Sequence, residues 1–177
     1  MVAARRPLPA NPVPNPAMPH SRRDWLKAAA GGAAALFLGN GWLADELFAA
    51  KPVRMTLYKS PTCGCCSKWV EHVQQAGVVV DARNLDDARM QEIKASLGVP
   101  AELQSCHTGM VGGYAVEGHV PADVILAALR EKPAGTLLSV PGMPVGSPGM
   151  EMGSRTDRYQ VVLYDRKTRR SRVYASR

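Results

Sequence analysis

Three of the four cysteines of this chain fall within four residues, in the stretch Lys59-Ser60-Pro61-Thr62-Cys63-Gly64-Cys65-Cys66-Ser67-Lys68-Trp69, and the fourth, Cys106, is followed directly by His107. Clustered sulfur donors serve two chemistries, dithiol–disulfide exchange and the binding of thiophilic metal ions, and both work through thiolate. Cys63 and Cys66 have the C-x-x-C spacing of a redox pair. The adjacent Cys65 and Cys66 would close a strained ring and are not expected to pair with each other. A plain structural disulfide, or inert buried thiols, would leave the third cysteine and Gly64 without a role.

Four thiolates with His and Met nearby suit Cu(I), whereas hard cations would require carboxylates that the motif lacks. Zinc is the competing metal, because four cysteines also make a common structural zinc site. The pattern C-x-C-C…C is not a standard zinc-finger spacing, and adjacent cysteines suit bridging thiolates in a polynuclear copper cluster. The enzymatic alternative is a thiol–disulfide oxidoreductase with Cys63 as nucleophile and Cys66 as resolving thiol. The accessory candidates are His107, His119 in Glu117-Gly118-His119-Val120-Pro121, and the thioethers of Met150 and Met152. The methionines have a second reading, as adaptable apolar groups that pin their loop to the core. His72 reads as an exposed helix residue, and Met143 and Met110 are weaker ligand candidates.

The elements that must position these residues can be read in order. Met55-Thr56-Leu57-Tyr58 predicts a strand, and Trp69, Val70, Val73 and Ala76 have helical spacing. The three clustered cysteines therefore sit at a strand-to-helix turn. A helix N-terminus, with Lys59 and Lys68 close by, favours their thiolate forms. Gly77 should end this helix, Val78 to Arg83 form a second strand, and Asp86 or Asp87 cap a helix running through Leu97 to Gly98. Cys106 to Val111 and Tyr114 to Val120 predict two strands joined across Gly112-Gly113, and Pro121 suits the first turn of a helix bearing Val124, Ile125, Leu126 and Leu129.

The order β-α-β-α-β-β-α, with the cysteines after the first strand, is thioredoxin-like and predicts one mixed α/β sheet flanked by helices. In that order Cys106 faces Cys63, Cys65 and Cys66. Pro100 falls too early and Pro121 too late for the cis-proline that usually occupies this region of such folds, which weighs against the oxidoreductase. Beyond Pro133 the chain changes to a Pro/Gly/Met loop, Pro141 to Met152, which can be neither helix nor central strand. Tyr159 to Asp165 and Ser171 to Ala175 then predict a terminal β-hairpin.

At 177 residues with 46% apolar side chains, the chain can build one ordinary domain plus tails. We divide it into a leader, 1–50, and a thioredoxin-like metal-binding domain with a C-terminal extension, 51–177. Residues 1–20 are proline-rich and predict no regular structure. Ser21-Arg22-Arg23-Asp24-Trp25-Leu26-Lys27, followed by the small apolar run Ala28 to Gly39, resembles a twin-arginine export signal. That run is too short to span a bilayer, which takes about 20 residues. The expectation is a protein exported to the periplasm and cut near Ala50, with no stable membrane anchor afterwards. Met18 offers an alternative start.

The formal charge is +7 overall, and from Lys51 onward 17 Lys and Arg stand against 12 Asp and Glu. The C-terminal cations Arg166, Lys167, Arg169, Arg170 and Arg172 lack interleaved aromatic platforms, so they read as a solvated hairpin turn and not as a nucleic-acid surface.

Taken together, the stretches 59–66, 105–108, 112–114, 117–121 and 140–151 resemble a bacterial domain-of-unknown-function family regarded as metal-binding, whose best-known members are CopG-type periplasmic copper-resistance proteins. The resemblance covers about residues 54–152, and the combination is far more specific than any one motif. It implies a thioredoxin-like fold, export, and copper bound by the C-x-C-C cysteines with the later cysteine, as a multi-copper thiolate cluster. It also implies copper ions and other periplasmic copper-handling proteins as partners, and a part in copper handling or Cu(I)/Cu(II) interconversion. The chain lacks a long Met/His-rich tail, so a defined site is expected in place of bulk copper storage.

Overall fold

The strand before the cysteines forms as its pattern requires. In β1 (Arg54–Lys59) Met55, Leu57 and Lys59 are buried in alternation, the period of a pleated strand. The computed structural model describes residues 51–177; the leader and the export signal lie outside the described residues. After β1 come α1 (Gly64–Gln75), β2 (Val79–Asn84), α2 (Asp87–Ser96), β3 (Thr108–Val111), β4 (Tyr114–Glu117), α3 (Ala122–Glu131), β5 (Leu137–Ser139), β6 (Gln160–Asp165) and β7 (Arg170–Ser176). A short 3-10 turn, Ala101–Leu103, precedes β3.

The local signals act where their chemistry predicts. Gly77, with φ 85°, follows α1, and the Asp86 carboxylate caps α2 by accepting the Arg89 N–H at 2.8 Å. Gly112 and Gly113 both have positive φ, as a two-residue type I′ hairpin turn demands. Pro121 is the N-cap of α3, one position earlier than its expected place in the first turn.

The seven strands form one mixed sheet in the order β2-β1-β3-β4-β5-β6-β7. The β1/β2 and β4/β5 pairs are parallel and the other four are antiparallel. Strand β5 is absent from the sequence expectation. Leu137-Leu138-Ser139 is too short to show a period, and it becomes a strand by pairing between β4 and β6. Through it the terminal hairpin, itself correctly expected, joins the main sheet. The core packs Leu57, Trp69, Val73, Val116, Ile125, Leu138 and Leu163, all fully or almost fully buried.

A charged pair sits inside this apolar layer. Lys94 of α2 and Glu117 of β4 are both buried and form an ion pair. The Lys94 ammonium also donates to the Ser105 carbonyl and to Thr108 Oγ1, each at 3.0 Å. Glu117 additionally accepts the Ser105 N–H at 2.7 Å and the Thr108 hydroxyl at 2.6 Å. Burial raises the Glu117 pKa, while Lys94, Thr108 and the Ser105 N–H pull the other way. Because Lys94 is the one cation paired with this buried carboxylate among the described residues, Lys94→Met should cost about 3–5 kcal/mol in urea denaturation. The double variant Lys94→Met/Glu117→Gln should cost clearly less than the sum of the two single changes.

Candidate metal centre

Cys63 begins α1 as its N-cap. Its backbone is extended and its sulfur accepts the Cys66 N–H at 3.3 Å, the place usually taken by a Ser or Asp oxygen. Cys63 and Cys66 are joined as a disulfide with their Cα atoms 5.4 Å apart, while Cys65 and Cys106 are free. Cys66 is wholly buried and Cys63 is half-buried. Cys65 Sγ lies 3.5 Å from Cys63 Sγ. All four sulfurs lie within 4.8 Å of one another, so Cys106 does face the helix turn as its place in the strand order requires.

Cys106 itself lies in the bend before β3, two residues short of the strand in which the sequence placed it. The Ser105 bonds to Glu117 and Lys94 fix it from one side, and the Gly118 N–H, donating to the His107 carbonyl at 2.9 Å, fixes it from the other. Burial, with Cys65 next to it, pushes the Cys106 thiol up to about 12 against the opposing bond from Ser105. The thiolate-favouring field expected at the helix turn therefore does not extend to this cysteine. A metal would have to displace its proton.

The two histidines extend the donor set. Cys106 Sγ is 3.1 Å from His119 Nε2 and 3.4 Å from His107 Nδ1, and these three side chains form a second group of donors within 4.8 Å. His119 Nδ1 lies 2.7 Å from the Pro148 carbonyl, which can only accept, so Nδ1 carries the proton and Nε2 presents its lone pair to the sulfur. His107 is fully buried between Trp69, at 4.4 Å between ring centres, and His119, at 5.0 Å. Among the described residues its Nε2 has no hydrogen-bond partner. Burial lowers the pKa of both rings: His107 falls well below the usual value with help from His119 and Lys94 and a slight opposing pull from the Gly118 backbone, and burial of His119 outweighs its bond to Pro148. Both are neutral near pH 7, the form that binds metals.

Trp69 and His72 tie α1 to the segment that follows β4. Trp69 Nε1 donates to the Val120 carbonyl at 2.9 Å, and His72 Nε2 accepts the Ala122 N–H at 3.1 Å. His72, expected to be a free helix residue, is in fact a cap for α3. The sequence also gave no sign of the Pro148 carbonyl as the orienter of His119. The one available pointer to the Lys94 clamp was an acid ending the buried run Tyr114-Ala115-Val116-Glu117, which needs a partner wherever its strand is buried.

The methionine loop lies across the cysteine turn. Gly149 has φ 85°, and a Cβ there would come within 2.7 Å of the Cys65 carbonyl and 2.9 Å of Trp69 N. Met150 follows it and is half-buried; Met152 is 63% exposed and Met143 54% exposed. The donors placed together are thus Cys63, Cys65, Cys66, Cys106, His107 and His119. Of the methionines, Met150 follows the glycine that lies on the helix turn and is half-buried, and Met152 stands largely in solvent.

Comparison with known proteins bears directly on this cluster. Residues 103–150 match a family described as a protein of unknown function, DUF411. No curated protein matches. Two solved structures do, described as copper resistance protein CopG in its Form 2 and Form 1. Each is 44% identical and covers 72% of this chain, with a TM-score of 0.66, and the matches span 99% and 98% of those chains. The chain belongs to the CopG family. The DUF411 match contains Cys106, His107, His119 and Met150 but begins after the C-x-C-C turn, so three of the four clustered sulfurs lie outside it.

The site fits a thiophilic metal on the chemistry of its donors: four clustered sulfurs, one imidazole lone pair aimed into the group, and one buried imidazole nitrogen left without a partner. While the disulfide stays closed, two of the four sulfurs are withheld, since the thiolate is the ligand.

Two measurements check this geometry. Gly149→Ala, which must hold a positive φ and meet backbone on two sides, should destabilise the fold by about 2 kcal/mol or more. Gly142→Ala has nothing within 4 Å and should cost only the backbone term of about 1–2 kcal/mol. In the metal-free protein, alkylation of Cys106 by iodoacetamide, followed by peptide mass spectrometry, should keep rising with pH towards about 12 without levelling off near 9. Since the folded state holds that proton more tightly than the unfolded chain, this thiol's contribution to stability is complete below about pH 9 and is lost as pH rises towards 12.

Proposed function

We propose that this chain is an exported copper-handling protein of copper resistance or homeostasis, taking Cu(I) as cargo or redox substrate at the start of α1. Cys63, Cys65, Cys66 and Cys106 are its thiolate ligands, and His107, His119, Met150 and Met152 complete or flank the set. The observation that carries this reading is the mutual approach of all four sulfurs to within 4.8 Å, with neutral imidazoles along one edge. Adjacent cysteines on one turn can bridge more than one ion, which favours a multi-copper thiolate cluster over a single tetrahedral zinc.

The fold reading that accompanies it is thioredoxin-like. The order β2-β1-β3-β4, with β1 and β2 parallel and β3 and β4 antiparallel, supports it, as does the cysteine turn at the C-terminal end of β1. We read the remaining three strands as the C-terminal extension of a single domain, 51–177. The arginine pair of the leader supports export to the periplasm by the twin-arginine route. No helix among the described residues is long and apolar enough to cross a membrane.

The closed Cys63–Cys66 disulfide favours a second reading, a thiol–disulfide oxidoreductase. The two readings share an electron balance. Closing that disulfide from the dithiol releases two protons and two electrons, enough to reduce two Cu(II) to Cu(I). They differ over Cys65, which exchange does not need and a cluster does.

Metal content by mass spectrometry, on protein purified anaerobically from copper-fed and zinc-fed cells, separates them. The expected result is more than one equivalent of copper in the reduced wild type, lost in Cys65→Ser and restored to the oxidised wild type only after reduction. Metal-free protein whose Cys63–Cys66 disulfide is reduced and reoxidised equally well with Cys65→Ser would overturn the copper reading in favour of the oxidoreductase.

A further inference from the structure

The copper reading leaves the C-terminal cations unused, and they are concentrated at one place. From Lys51 onward the chain holds 17 Lys and Arg against 12 Asp and Glu. The span 166–172 carries five of the cations and no acid, so the remainder of this region balances at 12 against 12. The span 166–172, at the turn of the β6–β7 hairpin, therefore carries a charge equal to the net +5 of residues 51–177.

All five side chains, Arg166, Lys167, Arg169, Arg170 and Arg172, are exposed, and none forms an ion pair among the described residues. The nearest acid, Asp165, is engaged within the turn, accepting the Lys167 N–H and the Thr168 hydroxyl at 2.9 Å each. Arg166 and Arg169 also line a recess of about 420 Å³ with Gly98, Val99, Pro100 and Tyr164.

The sheet gives this hairpin a direction. β1, β4, β5 and β7 run one way and β3 and β6 the other. The cysteine turn follows the end of β1 and His119 follows the end of β4, so the metal centre is at one end of the sheet. The β6–β7 turn is at the opposite end.

We propose that this basic hairpin docks the protein on an anionic phospholipid surface, the Arg166–Arg169 recess receiving a headgroup phosphate and the cysteine end facing away from the bilayer. Guanidinium groups match the paired oxygens of a phosphate, and a convex turn with five cations fits a broad, flat anionic surface better than it fits a groove-bound peptide. Binding of this kind is peripheral and salt-sensitive, and each Lys or Arg at the surface strengthens it by about fivefold. The proposal does not depend on what the cysteines bind.

The test is sedimentation of the full chain with vesicles of phosphatidylglycerol or of phosphatidylcholine. The leader's own cations are common to every sample, so the comparison of variants isolates the hairpin. The expected result is association with phosphatidylglycerol alone, lost at high salt and weakened about 25-fold by Arg166→Gln/Arg169→Asn. Asparagine tolerates the positive φ of Arg169, and the variant's copper content and thermal midpoint should match the wild type. Arg155→Gln, which removes an exposed cation outside the hairpin, should bind like the wild type. Equal binding by the double variant overturns the proposal. So does loss of vesicle binding on adding inorganic phosphate at constant ionic strength, which would assign the recess to free phosphate. Retention on polyglutamate with no vesicle binding would reassign the hairpin to an acidic protein.

Discussion

A buried ion pair decides where the functional residues stand. Lys94 and Glu117 come from different layers, a helix and a central strand, and meet where water does not reach. Removing both charges from water costs several kcal/mol per ion, so each must find all its remaining partners locally. Those partners are Ser105 and Thr108, the residues on either side of Cys106-His107. The need to satisfy two charges thus becomes a positional constraint on one cysteine and one histidine. An apolar pair of the same size would hold the helix to the sheet without fixing the irregular backbone of the Ser105–His107 bend.

The opposite wall of the centre is built by different means. There the helix start does the work: Cys63 caps α1 with its sulfur, and the next turn places Cys66 and Trp69 inward. Trp69 bonds to Val120 and lies against His107, so a single aromatic spans from the cysteine helix to the histidines. The Pro/Gly loop then closes over both walls, its Pro148 carbonyl selecting the tautomer of His119 and its Gly149 lying on the helix backbone. Three unrelated devices, a charge clamp, a helix cap and a glycine-dependent loop, converge on one group of donors.

How much of this could be read from the sequence follows the range of each interaction. The first two helices, the β3–β4 turn and the final hairpin were legible because Gly77, Asp86, Gly98 and Gly112-Gly113 act on their own neighbours. The gathering of Cys106 with the C-x-C-C turn followed from strand order alone. Strand β5 was invisible because three residues have no period, and it exists only through pairing with β4 and β6. His72 and Lys94 were unreadable for a related reason: their partners lie 50 and 23 residues away, and a His or Lys on a helix normally faces water. The legible part of the site was its donor list; the part that sets tautomer, burial and proton affinity was long-range.

That long-range part bears on the competition between the two sulfur chemistries. A disulfide and a thiolate site on the same cysteines exclude each other, so whatever stabilises one state opposes the other. Cys66, with no exposure, is the sulfur least open to attack, and the half-exposed Cys63 is where an incoming thiolate would enter. Cys65 and Cys106 take no part in the disulfide and keep their thiols, Cys106 with its proton held firmly by burial. The neutral, oriented lone pair of His119 stands beside that sulfur while the disulfide is closed. Reduction therefore does not have to assemble a centre from scattered residues. It adds two sulfurs to a half-built group already held in place by Glu117, Pro148 and Trp69, so the ordering cost of those donors is met by the fold itself, independently of whether an ion is bound.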